Sequence, residues 1–221
     1  MVSKFLQDCS SLEEVRFKKH GYFTGERNDR TIFFTTVRQP LSLYKSLFNY
    51  GCDGSGGLAK RLRRIGKKHL YKPNNEQFNM WLNFILTDGG FELGFPEFKE
   101  FAHLEIGMMS FRHFLMSVSK PLQRLRKCEN FEDVKRIYES EFLHDCILQQ
   151  ENLKADLIDM SSEQFPQFFD QDKVASFWNN TSNDTVNASK SGRGLVLEMS
   201  EPLREVFVTQ ERLLISCLAK L

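Results

Sequence analysis

Two groups of residues in this chain have the types and spacing to handle anions. Arg38 closes an apolar, β-branched run, Ile32 to Val37, a Gln39-Pro40 turn follows, and Ser46 lies on a helical pattern eight residues past the arginine. A strand that ends in a polar turn and runs into a helix presents its last side chain to a crevice. The helix start adds unpaired backbone N–H groups and a positive dipole end, so an anion fits beside Arg38. The same residues also describe a buried strand leading into an ordinary helix, with Arg38 in a structural ion pair. The second group is Lys60, Arg61, Arg63, Arg64, Lys67 and Lys68, six cations within nine residues, directly after the Gly-rich loop Gly51-Cys52-Asp53-Gly54-Ser55-Gly56-Gly57. Such a run binds a sulfated or uronate-bearing glycan, or it forms a solvated helix face.

These residues must be positioned by the elements around them. Residues 3–17 carry Phe5, Leu6, Leu12 and Val15 and read as a helix with a short connector. The stretch 20–30, with Gly21, Gly25, Asn28 and Asp29, is turn-rich and leads into the strand. Residues 75–86 place Phe78, Trp81, Leu82 and Ile85 at helical spacing behind Asn74 or Asn75 as cap, which makes Trp81 a core residue. An aromatic loop is expected over 89–101 and a further helical pattern over 104–118, whose methionines read as packing. Residues 121–141 read as charged and helical, 144–148 as a strand, 153–158 as a helix and 177–194 as a polar loop, and 201–218 as one closing amphipathic helix. Apolar strands separated by helices point to an α/β layer architecture with a mostly parallel sheet, and no internal repeat occurs.

Composition bounds the function. At 221 residues the chain is expected to be a single domain, 1–221, large enough for a substantial core, and 41% hydrophobic residues with 21 Phe argue for a globular protein. Thirty basic against 29 acidic residues leave a net charge of +1, so no global field recruits nucleic acid or a membrane, and anion affinity must be local. No run approaches the ~18 apolar residues of a membrane span, and the first residues lack the apolar core of a signal peptide. Cys9, Cys52, Cys128, Cys146 and Cys217 are scattered and odd in number, without a CxxC pair. They indicate neither a metal site nor a full disulfide framework, although one or two bridges are compatible with the count.

Arg38-Gln39-Pro40 with Ser46 resembles the segment that grips the 3'-phosphate of PAPS (3'-phosphoadenosine 5'-phosphosulfate) in sulfotransferases of the Golgi carbohydrate and 2-O-sulfotransferase type, with Gln39 where the pattern has an acidic residue or Asn. Three further stretches are similar in the same order. Glu151-Asn152-Leu153, with Asp156 in the next helix, resembles an acidic-Asn-Leu strand end. Asn187-Ala188-Ser189-Lys190 with Arg193 resembles the loop around adenine and 3'-phosphate. Residues 105–112 resemble a Gly-Met-Thr-Tyr-Arg segment. The resemblance covers 19–214. It implies a P-loop-like three-layer α/β/α fold, PAPS as sulfonate donor without a metal, and a carbohydrate hydroxyl as acceptor. It also implies Arg38, Ser46, Asn187, Ser189, Lys190 and Arg193 as nucleotide ligands; the cation run, read by itself above, offers Lys60, Arg61, Arg63 and Arg64 as acceptor contacts or as a solvated helix face. Lys19-His20-Gly21 occupies the place of a Lys-His or His-Gly segment, which casts His20 as the base and Lys19 as the cation on the transferring sulfonate.

The resemblance is incomplete at the front. Its first strand and the Gly/Ser/Thr-rich loop that holds the 5'-phosphosulfate have no counterpart before Val2, and the opening helix reads as the one that follows that loop. The expectation is therefore a domain truncated at its amino end, with a catalytically inactive nucleotide- or polyanionic-glycan-binding relative as the alternative. A P-loop nucleotide kinase relative is disfavoured, since no GxxxxGK[ST] occurs. A Golgi lumenal location would follow from an upstream anchor, and a cytoplasmic one without it. Asn179, Asn180, Asn183 and Asn187 each begin an N-x-S/T sequon but do not decide between the two.

Overall fold

The computed structural model describes residues 1–11, 31–87, 96–180 and 195–219. In chain order its elements are α1 (Val2–Cys9), β1 (Phe34–Val37), α2 (Pro40–Cys52), α3 (Gly57–Arg64), α4 (Asn75–Leu86), α5 (Met108–Ser117), α6 (Pro121–Leu125), α7 (Phe131–Ser140), β2 (Cys146–Gln149), α8 (Leu153–Asp159), α9 (Gln171–Asn180), α10 (Glu201–Gln210) and α11 (Arg212–Leu218), with short 3-10 and π turns between some of them. The described chain is thus mostly helical around a small parallel sheet, an α/β arrangement. Contacts divide it into two compact units.

The first unit takes residues 1–11, 31–38 and 144–180 from the described chain. Its two strands pair in parallel, Phe34 opposite Cys146 and Val37 opposite Gln149. Asp145 ties down the amino ends of both. Its N–H donates to the Phe33 carbonyl at 2.6 Å and its Oδ2 accepts from the Phe33 N–H at 2.9 Å. At the other end the Asp156 carboxylate accepts from the Gln149 N–H, fixing α8 against the strand it follows. The core of this unit is Phe5, Leu6, Cys146, Leu148, Leu157, Met160, Val174 and Phe177, with Phe5 wedged among the rings of Phe169, Phe177 and Trp178. That packing explains a departure from the sequence expectation. Residues 177–180, read as loop, complete α9 because Val174 and Phe177 must stay on one helical face to cover α1.

The second unit takes residues 39–87, 96–143 and 195–219. Tyr44 and Phe48 on α2, Phe78 and Trp81 on α4, Tyr71 and Phe207 form one aromatic core with ring centroids 5.4–6.2 Å apart. Gly51 belongs to this packing, since a Cβ there would stand 2.0 Å from the Tyr71 ring. Asn74 caps α4, accepting from the Gln77 N–H at 2.8 Å. Trp81 is fully buried, as its spacing predicts.

The charged stretch 121–141 is helical as its pattern predicts, in two helices because Asn130 accepts from the Asp133 N–H and starts α7 anew. Two other expectations for this unit are corrected. The aromatic stretch ends in 3-10 turns over Pro96–Leu104, with Phe98, Phe101 and Leu104 buried, while 88–95 lies outside the described residues. The closing helix breaks between Gln210 and Arg212, and the break delivers Glu211 to the interior, where it has no exposure.

Glu211 meets the start of α5 there. Its carboxylate accepts from the Ser110 N–H at 2.7 Å, the Ser110 hydroxyl at 2.9 Å, the Met109 N–H at 3.3 Å and the Tyr44 hydroxyl at 2.5 Å. Two of these donors are the otherwise orphaned N–H groups of a helix's first turn, so a negative charge from a distant element caps α5. In return the Gly107 N–H donates to the Gln210 carbonyl at 2.6 Å, and Ser110 Oγ accepts from the Leu214 N–H at 3.2 Å. Burial pushes the Glu211 carboxyl above its usual range against the pull of these hydrogen bonds, and burial together with the Glu211 charge pushes Tyr44 well above the ordinary phenol. Gly107 is required by contact rather than by dihedral angle. A Cβ would stand 2.3 Å from Glu211 Oε1 and 2.9 Å from the Gln210 carbonyl oxygen. Gly107→Ala is therefore expected to lower stability by about 1–3 kcal/mol, read as a fall in thermal midpoint, while Glu163→Gln, exposed in the other unit, leaves it within about 0.5 kcal/mol.

Candidate functional site

Residues at the carboxyl ends of parallel strands face the crevice where α/β proteins bind ligands. In the first unit those residues are Arg38, directly after β1, and Glu151, two residues after β2. Their side chains come within 3.8 Å, Arg38 Nε to Glu151 Oε1, each about a third exposed at 32% and 36%. That separation is an ion pair but too long for a hydrogen bond. Arg38 Nε is itself out of contact with solvent and has no hydrogen-bond acceptor among the described residues. The pair thus matches the structural-ion-pair alternative in its partners and falls short of it in its geometry, leaving a guanidinium donor unused at a strand end.

The Pro40 ring starts α2 at its first turn, where its missing N–H costs nothing, and the Gln39 side chain supplies no cap to that turn. Ser46 sits in the middle of α2, in the second unit, on the face away from buried Tyr44 and Phe48. The strand, turn and helix read from Ile32 to Ser46 are all present, the strand beginning at Phe34. His20, Lys19, Asn187, Ser189, Lys190 and Arg193 lie outside the described residues.

The four cations read as acceptor contacts share one element. Lys60, Arg61, Arg63 and Arg64 are all exposed on α3, whose buried side is Ala59 and Leu62. At ~100° per residue Lys60, Arg64 and Arg61 form a continuous stripe opposite that buried side, while Arg63 lies at its edge. Arg63 turns back, its Nη2 over Gly54, and its charge acts on the Tyr71 phenol. Arg112, the last residue of the 105–112 segment, is half-buried on α5 and has its pKa lowered by burial and, to a lesser extent, by the charge of Arg61.

Other chemistry is sparse. All five cysteines are free, so no bridge forms. Among the described residues no group of three or more His, Cys, Asp or Glu side chains is arranged to hold a metal ion, and no helix is long and apolar enough to cross a membrane. A surface concavity of about 410 Å³ beside α7 is lined by Glu132, Lys135, Arg136, Glu139 and Ser140, a solvated helix face of mixed charge. His113 bonds the Tyr138 hydroxyl at 2.7 Å, but both are enclosed in the core and face no opening. Comparison with family models, curated proteins and solved structures finds no match to this chain.

The strand pair carries an acid-sensitive group. Burial lowers the His144 pKa to about 4, against a weaker upward pull from Asp145. A histidine held neutral in the fold contributes stability that is complete above its unfolded pKa near 6.5 and is lost as pH falls toward about 4. Urea denaturation should show a loss of about 1–2 kcal/mol between pH 7 and pH 5, allowing for partial solvent screening, and His144→Gln should remove most of that slope.

Proposed function

We propose that this chain is a sulfotransferase-like protein that binds the 3'-phosphate of PAPS at Arg38 and directs sulfonate transfer to a hydroxyl, on a carbohydrate acceptor. The observation that carries the reading is Arg38 itself: a guanidinium at the carboxyl end of a parallel strand, 3.8 Å from Glu151 and with a buried Nε lacking an acceptor. A phosphate oxygen is a shorter and better partner for that donor than the displaced carboxylate, and the planar fork suits phosphate. Support also comes from chain order. The strand, Arg-Gln-Pro turn and Ser46 helix occur as the resemblance requires, and the Glu151-Asn152-Leu153 segment follows a strand parallel to the first. A P-loop-like three-layer fold is part of the same proposal.

In this reading Arg38 holds the 3'-phosphate, and the resemblance assigns Ser46 and the Asn187-Ala188-Ser189-Lys190 segment with Arg193 to the same nucleotide. The acceptor hydroxyl attacks sulfur, the bond from sulfur to the phosphate oxygen breaks, and adenosine 3',5'-bisphosphate departs. The acceptor proton passes to His20, and Lys19 balances charge on the transferring group.

Adenosine 3',5'-bisphosphate at a hundredfold excess over its Kd should raise the thermal midpoint by about 5–10 °C. Arg38→Ala should abolish the shift, and Glu151→Gln should preserve it by freeing the guanidinium. No shift with the unaltered chain, or an undiminished shift with Arg38→Ala, would overturn the reading.

A further inference from the structure

One stretch of this nearly neutral chain carries charge of a single sign. Between Asp53 and Glu76 there is no Asp or Glu, while seven Lys and Arg residues fall there. A cation at the carboxyl end of a helix favours its dipole, which accounts for Arg61, Arg63 and Arg64 on α3. It does not account for Lys60 in the other half of that helix, or for Lys68 and Lys72 beyond it. Two members of the cluster turn back on the protein: Lys67 lies over the Phe84 ring, its nitrogen 5.3 Å from the centroid, and Arg63 folds over Gly54. Lys60, Arg64, Lys68 and Lys72 are exposed, and none of them forms an ion pair among the described residues. A merely solvated helix face is usually laced with charges of both signs.

The face is not wholly polar. Ile65, the residue that ends α3, donates its N–H to the Arg61 carbonyl and so lies one turn beyond Arg61, away from the buried Ala59 and Leu62 side. It is 40% exposed, between Arg64 and Gly66 in the chain. Recognition of one phosphate or carboxylate requires donors that converge on a point. These cations instead spread along the chain, Lys60 and Arg64 one turn apart on α3, Lys68 in the 3-10 turn that follows and Lys72 past it. A bilayer with anionic headgroups suits such a spread, because each cation meets a headgroup of its own, long lysine stems reach the charge, and an exposed apolar side chain enters the acyl boundary.

We propose that the outward face of α3 and the turn after it, with Lys60, Arg64, Lys68 and Lys72 on headgroups and Ile65 at the acyl boundary, docks the protein on an anionic phospholipid surface. The docking face belongs wholly to the second unit, whereas Arg38 belongs to the first, and lipid binding requires no nucleotide.

The test is co-sedimentation of the full chain with vesicles of phosphatidylcholine alone and of phosphatidylcholine with about one third phosphatidylserine, at low and high salt. The chain is expected to bind the anionic vesicles only, with a partition coefficient that falls steeply as salt rises. Lys60→Gln/Arg64→Gln should weaken binding by about tenfold or more, each cation near such a surface being worth about fivefold. Ile65→Ser should weaken it by a smaller factor and leave the salt dependence unchanged. Lys99→Gln/Lys127→Gln removes the same charge from exposed positions elsewhere in the second unit and should change binding by less than about twofold. Because Lys60 and Arg64 have no ion-pair partner to lose, that variant should melt within about 2 °C of the unaltered chain, which separates lost binding from lost fold. Equal binding to phosphatidylcholine vesicles, no binding to the anionic ones, or an equal loss in the Lys99/Lys127 variant would each overturn the inference. A single-stranded RNA and a heparin-derived octasaccharide are added as competitors: if either, at equal anionic charge, strips the chain from the vesicles, the face belongs to that polymer and the inference falls.

Discussion

The second unit is organised around one buried carboxylate. Glu211 has no exposure and four hydrogen-bond donors, two of them backbone groups at the start of α5 and one a tyrosine hydroxyl from α2. A buried charge of this kind is tolerable only when its acceptors are filled, and leaving it unpaired would cost several kcal/mol. The requirement reaches through the sequence. It breaks the closing helix at Gln210, so that the carboxylate can face inward. It demands a glycine at position 107, and it holds Tyr44 in the aromatic core.

That constraint bears on the site through α2. Tyr44 and Phe48 are one helical turn apart and are fully buried, which fixes the rotation of the helix about its axis. Ser46 is then turned away from the core by the same rotation. The carboxyl end of α2 packs Gly51 against Tyr71 and leads through the glycine loop into α3 with its cations. A single helix therefore connects Ser46, the buried carboxylate network and the basic face. In the first unit the equivalent constraint is Asp145, whose two hydrogen bonds to Phe33 set the parallel register that places Arg38 level with the end of β2.

What was legible in the sequence was what local pattern governs. The β-branched run ending at Val37, the Pro40 helix start, the Asn74 cap and the spacing of Phe78 and Trp81 all report on near neighbours in the chain, and the structure forms each of those elements. Features that depend on distant contacts were not legible. Residues 201–218 carry an unbroken amphipathic pattern, and the break appears only because Glu211 has a partner a hundred residues earlier. The stretch 177–194 reads as polar and loop-like, yet Phe177 and Trp178 pack on Phe5 from the other end of the chain. The candidate site divides in the same way: Arg38 and the α3 cations were visible by type and spacing, while Glu151 as the ion partner of Arg38 is a product of tertiary folding.

The central claim is that Arg38 sits at the end of its strand to recognise a phosphate, with Glu151 as a weak partner in the phosphate's absence. Recognition of that one group separates this reading from a general affinity for nucleotides. Calorimetric titration of the full chain with adenosine 3',5'-bisphosphate and with adenosine 5'-monophosphate, which differ only by the 3'-phosphate, tests it most directly. The account predicts that the bisphosphate binds tighter by about tenfold or more, the worth of a charge-assisted contact to a guanidinium. Equal affinities for the two nucleotides would contradict it.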